Sequence, residues 1–380
     1  MNIVLSGVET NNKGAELMLY AILQEVERRH PDATVYISQD RVVQGRDYVK
    51  TSLDLRFFPL EKLEKILNKT HINGIIKRIG LPQMISMNNV KADYFFDGSG
   101  FLFSDHCKLW GTEPNWWETV LKHQSRNGAK IVFLPQAFGP MEIENTREAM
   151  SVLSKYSTLI MPREQVSYNY LKDSGIVDMS KVRKCMDFTS LVVGVFPQKY
   201  NHLKDGVCII PNMEMIRQNK ISYNDYVDLL SRIAIEGGKS NRPVFLLNHE
   251  GQRDESFCLK CKESIGDKIE VVTGLNALEV KGLISSAYIV ITSRFHGLAS
   301  SLNSGVPSLA TSWSHKYEEL FNDYNQNGCV LPLDNIDAAV EKVKTILDPD
   351  ENQCIRKHLS CEAQKVVNKT KEMWDSIWAL

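Results

Sequence analysis

The chain has 380 residues, of which 43% are hydrophobic and 24% are charged. These proportions exclude a disordered or fibrous protein, and a chain of this length predicts two domains. Its 45 basic and 46 acidic residues give a net charge of −1, which excludes recognition of a nucleic acid or an acidic polymer by overall charge.

The first half of the chain alternates strands and helices, a pattern typical of a parallel α/β sheet. An apolar strand is expected at Asn2–Ser6 and an amphipathic helix at Lys13–Arg29. Further elements are expected at residues 34–38, 94–96, 116–123, 130–134, 146–153, 158–161 and 164–171. Because the first strand begins without a basic leader, and no run of about 18 uncharged apolar residues occurs, we expect a cytoplasmic protein without a signal peptide or membrane-spanning helix.

A second alternating series follows the polar stretch at residues 197–204. We therefore place the domain boundary between residues 1–198 and 199–380. Its elements are expected at residues 206–210, 243–247, 268–272, 277–286, 287–292, 296–304, 307–311 and 329–331. Two helices close the chain, and the last, at about residues 352–378, is long enough to pack back onto the first domain. The predicted fold class is thus α/β, with two Rossmann-like domains that each contain a parallel sheet.

Eight cysteines are present, and two of them, Cys258 and Cys261, form a CxxC pair within a helical segment. A zinc site needs a second ligand pair at suitable spacing, and none follows in the sequence. We therefore expect neither a metal nor another cofactor.

Residues 61–80 combine lysines and an arginine with regularly spaced isoleucines and leucines. A basic amphipathic helix of this kind binds the surface of an anionic membrane, which would place the protein at the inner face of the membrane. The alternative is an ordinary surface helix of the first domain, and Gly74 would weaken a long helix.

The strongest motif is Ser293-Arg294-Phe295-His296-Gly297, where a β-branched strand runs directly into a helix. Ligands of open α/β sheets bind at this edge, and a helix N-terminus favours an anion. Residues 285–316 contain no acidic residue, whereas Arg294, His296, His315 and Lys316 are all present. The Arg294 guanidinium is therefore expected to be available for a ligand carboxylate or phosphate. The alternative is that Arg294 pairs with a distant acid and His296 only caps the helix.

Two motifs in the first domain also follow strands. Asn12 and Glu16 open the first helix, and Asp97 and Ser99 lie in the loop Asp97-Gly98-Ser99-Gly100. Neither motif is a dinucleotide-binding fingerprint. Asp97 is placed to orient a hydroxyl or act as a base, but capping of a helix or turn explains each motif equally well.

A fourth motif, Met161-Pro162-Arg163-Glu164, is again the end of a strand and the start of a helix. Pro162 and Glu164 are favourable helix-opening residues. Arg163 is placed to hold a phosphate. Asp187 and residues 135–140 lie at comparable strand ends and are expected to shape the same site.

Taken in order, these motifs resemble those of the polysaccharide pyruvyl transferase family, over about residues 2–317. The family signature is an Arg-x-His run before a Gly-x-Pro strand, which reads here as Arg294-Phe295-His296 and Gly305-Val306-Pro307. There are departures. The family more often has Leu at the position of Phe295 and Ala at that of Gly297, and it frequently has Asp where His315 precedes Lys316.

The resemblance implies a GT-B-like pair of Rossmann-type domains with the active site in the cleft between them. It also implies transfer of a pyruvyl group from phosphoenolpyruvate to two hydroxyls of a sugar, giving a ketal in a polysaccharide or glycoconjugate. The expected donor-binding residues are Arg163, Arg294, His296, His315 and Lys316. Of these, His296 would supply or position a proton, and Arg294 would bind the donor carboxylate.

The expected acceptor-sugar residues are Asn12, Glu16, Asp97 and Ser99, with Glu16 or Asp97 as the base. If the acceptor is lipid-linked, the basic segment at residues 61–80 would contact the membrane. Two other functions fit less well: a GT-B glycosyltransferase that uses a nucleotide sugar, and a carbohydrate-binding protein without catalysis. Retaining glycosyltransferases usually place glutamates where residues 285–316 have none.

Overall fold

A computed structural model describes residues 1–10, 12–38, 46–52, 90–105, 114–266 and 269–380. The basic segment at residues 61–80 lies outside the described residues. The chain divides into two compact units: the first is Met1–Val8, Glu25–Pro162 and Ser167–Arg183, and the second is Glu9–Gln24, Arg163–Val166 and Lys184–Leu380. Among the helices that the structure describes, none is long and apolar enough to cross a membrane.

The first unit contains a six-stranded parallel sheet with the order β3-β2-β1-β4-β5-β6. Its strands are β1 (Asn2–Ser6), β2 (Thr34–Ser38), β3 (Val49–Ser52), β4 (Tyr94–Asp97), β5 (Lys130–Gln136) and β6 (Leu159–Pro162). The order reverses direction between β1 and β4, which is the topological switch point of a Rossmann-like sheet. The sequence patterns did not predict strand β3.

Among the described residues of this half of the chain, the α-helices are α1 (Lys13–Arg29), α2 (Pro114–Arg126), α3 (Glu144–Tyr156) and α4 (Gln165–Asp173). Helices α2 and α3 cover the sheet because each turns an apolar stripe inward. Phe103 is central to the resulting core: its ring centroid lies 5.2 Å from that of Trp117 and 5.6 Å from that of Phe133. All three side chains are fully buried.

The second unit contains a five-stranded parallel sheet with the order β11-β10-β7-β8-β9. Its strands are β7 (Val207–Ile210), β8 (Val244–Leu247), β9 (Glu270–Val272), β10 (Ile289–Thr292) and β11 (Ser308–Ala310). Strands β7, β8 and β10 are buried along their whole length, because a parallel sheet is covered by helices on both faces. The predicted strand at residues 329–331 is reduced to a single bridge between Ala310 and Val330.

The remaining helices are α5 (Glu214–Arg217), α6 (Tyr223–Gly238), α7 (Gly251–Ile265), α8 (Ala277–Ser285), α9 (Phe295–Asn303), α10 (Lys316–Asp323), α11 (Ile336–Leu347) and α12 (Pro349–Trp378). Helix α12 packs against a short 3-10 helix, Phe188–Leu191, where Phe188 and Trp374 meet edge to face with centroids 6.1 Å apart. Ser190 Oγ also donates a hydrogen bond to Thr370 Oγ1 at 2.7 Å.

Two parallel-sheet α/β domains are therefore present, as the sequence predicts. The boundary at residues 198 and 199, the cleft between the domains and the packing of the last helix on the first domain stay predictions. Although they come early in the chain, residues 9–24 and 163–166 belong to the second unit. The beginning of α1, the pair Arg163 and Glu164, and the Arg294 motif therefore lie within one compact unit.

Candidate active site

The loop between β10 and α9 is fixed by a buried hydrogen-bond network around Ser293. The Ser293 hydroxyl is hydrogen-bonded to the hydroxyls of Tyr226 and Thr311, at 2.5 Å in each case. Its carbonyl oxygen accepts from Asn212 Nδ2 at 2.9 Å and from Tyr317 Oη at 2.6 Å. Several elements thus hydrogen-bond to the polar atoms of Ser293. These bonds fix the backbone from which Arg294 and His296 follow.

The Arg294 guanidinium is paired with two carboxylates. Its Nε and Nη2 donate to Asp254, with an Nε–Oδ2 distance of 3.0 Å, and its Nη1 donates to Glu250. Arg294 therefore pairs with distant acids, as in the alternative interpretation, because helix α7 and the residue before it supply carboxylates from about forty positions earlier in the chain. Asp254 is itself oriented by Met213, whose backbone N–H donates to Asp254 Oδ1 at 3.1 Å.

His296 lies in the first turn of α9, with only 12% of its side chain exposed. Its Nε2 is 3.6 Å from Asp187 Oδ2, and within the described residues it makes no hydrogen bond. The Nδ1 atom of the ring lies against the start of α1, because a Cβ at Gly14 would be 2.3 Å from it. Burial lowers the pKa of His296, and the Asp187 carboxylate opposes this effect.

Asp187 is a buried carboxylate that lies near the basic side chains of His296 and Arg163. Its Oδ1 accepts from Thr189 N at 2.9 Å, which caps the 3-10 helix, and its Oδ2 lies 3.5 Å from Arg163 Nη1. Burial alone would raise the pKa of Asp187, but the His296 imidazole and the Arg163 guanidinium hold this pKa well below its usual range. Asp187 is thus an anion that links the Arg163 motif with the Arg294 motif.

Lys281 on helix α8 is another buried cation near this carboxylate. Its Nζ donates to the Thr189 carbonyl at 3.0 Å, and only 3% of the residue is exposed. Burial lowers the pKa of Lys281 to about 8, although Asp187 counteracts part of this shift. Lys281 therefore supports the 3-10 helix that follows Asp187.

Arg163 and Lys316 both lie near the ring of Phe295. The Arg163 guanidinium carbon is 3.8 Å from the centroid of that ring, and Lys316 Nζ is 6.0 Å from it. Lys316 Nζ also lies 4.1 Å from the centroid of the Trp313 ring. Two of the predicted donor residues, from distant parts of the chain, are thus brought to one aromatic side chain.

His315, which stands where the family frequently has Asp, faces Glu164. Its Nε2 lies 3.5 Å from Glu164 Oε1, and its side chain is 38% exposed, whereas that of Glu164 is 5% exposed. The residue before Lys316 therefore contacts the residue after Arg163, at the Pro-Arg-Glu helix start.

Asn12 and Glu16 hold the beginning of α1 on the second unit. Asn12 Oδ1 accepts from Gly14 N at 2.8 Å, and Asn12 Nδ2 donates to Glu250 at 2.9 Å. Glu16 is buried, and its Oε2 accepts from Lys13 Nζ at 2.7 Å and from Ala277 N at 3.2 Å. These contacts give both residues a framework function, and their predicted contact with an acceptor sugar stays a prediction.

Asp97 and Ser99 belong to the first unit and form a tight turn after β4. Asp97 is fully buried and accepts from Ser99 N at 3.2 Å, from Ser99 Oγ at 2.9 Å and from Gln136 Nε2 at 3.0 Å. Gly7 approaches this turn with a φ of +73°, and a Cβ there would lie 2.1 Å from Ser99 Oγ. The turn is therefore built tightly, with the carboxylate inside it.

The sequence patterns missed a further group, His249, Glu250 and Asp254. His249 is buried, and burial together with the charges of Arg294 and His296 lowers its pKa well below the usual range. A usable signal was present: Asn248-His249-Glu250 directly follows strand β8, so the strand-end argument that identified the other motifs applies here too. Asp254, within a helix, carried no such signal.

Comparison with solved structures shows the fold alone. Over 100% of both chains, the protein has a TM-score of 0.62 and 11% identity with HepE from Anabaena in complex with UDP and glucose. Over 100% of both chains, it has a TM-score of 0.60 and 12% identity with UDP-GlcNAc 2-epimerase from Neisseria meningitidis bound to UDP-GlcNAc. With WaaG, a glycosyltransferase involved in lipopolysaccharide biosynthesis, it has a TM-score of 0.58 and 10% identity over 99% of both chains.

These likenesses confirm the predicted GT-B-like fold class. No curated protein matches the sequence. A family model, described as polysaccharide pyruvyl transferase, matches residues 12–315, a range that contains nearly all the motifs of the candidate site. The protein therefore belongs to the polysaccharide pyruvyl transferase family.

Proposed function

We propose that the protein transfers the pyruvyl group of phosphoenolpyruvate to two hydroxyls of one sugar, forming a cyclic ketal and releasing phosphate. The observation that carries the proposal is the group around Asp187. Within one compact unit, the imidazole of His296 and the guanidinium of Arg163 converge on a single buried carboxylate. This arrangement combines a proton donor with a cation for an anionic donor molecule.

The reaction requires a proton at the methylene carbon of phosphoenolpyruvate. Protonation turns this carbon into a methyl group and makes the neighbouring carbon electrophilic. One sugar hydroxyl then adds, the C–O bond to phosphate breaks, and a second hydroxyl completes the ketal. The two hydroxyls lose two protons: one balances the proton gained by the methyl group, and the other leaves with phosphate.

His296 is the proposed proton donor. Burial lowers its pKa in the protein without ligand, which favours the neutral ring. A bound donor brings a carboxylate and a phosphate, and these negative charges act with Asp187 to favour the imidazolium. Binding of the donor thus charges the acid at the moment when its proton is needed.

Arg163 and Lys316 are the proposed ligands of the phosphate, and they neutralise it as it leaves. Arg294 is the proposed ligand of the donor carboxylate. It already makes two ion pairs, so it binds the donor either through its remaining N–H groups or after Glu250, whose side chain is 35% exposed, moves away. His315 is the proposed fifth donor-site residue, on the exposed side.

The acceptor is proposed to be a sugar of a polysaccharide or glycoconjugate, with Asn12, Glu16, Asp97 and Ser99 as its proposed contacts and Glu16 or Asp97 as the base. Both carboxylates already accept several hydrogen bonds in the structure. A base function for either one therefore requires that the sugar hydroxyl replaces an existing donor. Capsular or exopolysaccharide synthesis, in the cytoplasm or at its membrane face, is the proposed setting.

Thermal unfolding with phosphoenolpyruvate tests the donor proposal. A ligand at about 100 times its Kd adds roughly 2.7 kcal/mol, which raises the midpoint by about 5–10 °C for domains of this size. We expect this shift for the wild type and its loss in Lys316→Gln. UDP is the control: a shift with UDP and none with phosphoenolpyruvate would support a nucleotide-sugar enzyme instead.

A further inference from the structure

Phe295 occupies the variable position of the Arg-x-His motif, where the family more often has Leu. The residue begins helix α9, and 9% of it is exposed. Its ring is fixed on two sides by edge-to-face contacts: its centroid lies 5.2 Å from that of His296 and 6.4 Å from that of Tyr317. The ring is therefore held in a defined orientation.

That face carries a cation. The Arg163 guanidinium carbon lies 3.8 Å from the ring centroid, well inside the distance of about 6 Å at which a ring face attracts a cation. Lys316 Nζ lies at the limit of this distance, at 6.0 Å, and is closer to Trp313 at 4.1 Å. An arginine suits a contact of this kind because its planar guanidinium can lie against a ring while its N–H donors remain available in the plane.

The position of the Arg163 guanidinium also depends on Asp187, but only loosely. The Nη1–Oδ2 distance of 3.5 Å is long for a charge-assisted hydrogen bond, which is typically about 2.7–2.9 Å. The aromatic contact thus lies well within its usual range, whereas the contact with Asp187 lies at the long end of its own. A leucine at position 295 would fill the apolar space but would lack the ring quadrupole that attracts the cation.

We propose that Phe295 is a positioning residue whose ring holds Arg163, and with Trp313 steadies Lys316, in the geometry that binds the phosphate of the donor. This inference rests on the proposed function, because it assumes that a phosphorylated donor binds at these cations. It assigns a specific purpose to a residue at which this chain departs from its family.

The test measures binding of phosphoenolpyruvate and of inorganic phosphate by isothermal titration calorimetry. Phe295→Leu is expected to raise both Kd values roughly 3- to 30-fold. Replacement of Phe295 by mono-, di- and trifluorinated phenylalanine keeps the shape of the ring while reducing its negative face, and is expected to raise both Kd values stepwise. The matched control is Phe321→Leu, since Phe321 is a buried ring of the same apolar cluster.

The results separate the two proposals. Wild-type protein that binds neither phosphoenolpyruvate nor phosphate contradicts both. Wild-type binding that Phe295→Leu and the fluorinated rings leave unchanged contradicts only the function of Phe295. A loss in Phe295→Leu that Phe321→Leu reproduces, without any trend on fluorination, assigns Phe295 to packing alone and also overturns the inference.

Discussion

The contact between Gly14 and His296 gives the most specific prediction of this structure. A methyl group at position 14 would lie 2.3 Å from His296 Nδ1 and 3.0 Å from its Cγ. Ordinary van der Waals contact begins at 3.4 Å, so the imidazole or the helix start must move by about 1 Å. A displacement of about 1 Å of a catalytic group can cost roughly 100-fold in rate.

The fold itself is expected to tolerate Gly14→Ala. Gly14 is the second residue of α1 and does not require a positive φ, and Ala is favoured over Gly in a helix by up to about 1 kcal/mol. We therefore expect kcat/KM to fall roughly 100-fold while the midpoint of thermal unfolding changes by only a few degrees.

The assay is release of inorganic phosphate from phosphoenolpyruvate in the presence of an active acceptor, with thermal unfolding measured in parallel. Gly238→Ala is the control, because a Cβ added to this helical glycine would meet no atom within 4 Å. Wild-type kcat/KM in Gly14→Ala would refute the idea that His296 must occupy its observed position. A large fall in both the rate and the midpoint would show that the contact supports the fold instead.

Three further substitutions test the charges around the site. Asp187→Asn removes the carboxylate that favours the imidazolium, so the pKa of His296 should fall and the limb on which kcat/KM falls with rising pH should move to lower pH. Arg294→Ala leaves two carboxylates without their partner and should lower the free energy of unfolding by about 3 kcal/mol, measured by urea denaturation. The pKa of Lys281 is about 8 in the folded protein, so between about pH 8 and 10 the unfolded chain binds more protons than the folded protein. The stability of the wild type relative to Lys281→Met should therefore rise across this range by about 1–3 kcal/mol.

Each of these has its own contrary result. An unchanged pH profile in Asp187→Asn would show that this carboxylate does not influence the pKa of the catalytic acid. Unchanged stability in Arg294→Ala would mean that the ion pairs contribute little. If the stability difference between the wild type and Lys281→Met is constant from about pH 8 to 10, the pKa of Lys281 is not lowered by folding.

The fold was largely predictable from apolar patterns. Strand β10 reads as an unbroken β-branched run and was predicted, because buried parallel strands leave no polar face. Strand β3 was missed because its sequence, Val-Lys-Thr-Ser, is short and polar. The predicted strand at residues 329–331 has the right composition, but only one residue pairs with a neighbour.

The position of the candidate site could be predicted from the residues at strand ends, but the ion pairs within it could not. Arg294 and His296 follow β10 directly, so the position of a site was readable from local sequence. The carboxylates that pair with Arg294 were not, because 46 acidic residues are available and the pairing depends on how α7 packs. The contact between Arg163 and the Phe295 ring likewise joins distant parts of the chain, which no local pattern encodes.

Direct observation of the product tests the central claim. The purified protein would be incubated with phosphoenolpyruvate and a panel of sugars that carry vicinal or 1,3-related hydroxyl pairs, and the products analysed by mass spectrometry. We expect an acceptor that gains the mass of one pyruvate less one water, with an equal amount of phosphate released, and no product from His296→Asn. Transfer of a sugar from UDP-sugar with no consumption of phosphoenolpyruvate, or unchanged ketal formation by His296→Asn, would contradict the account.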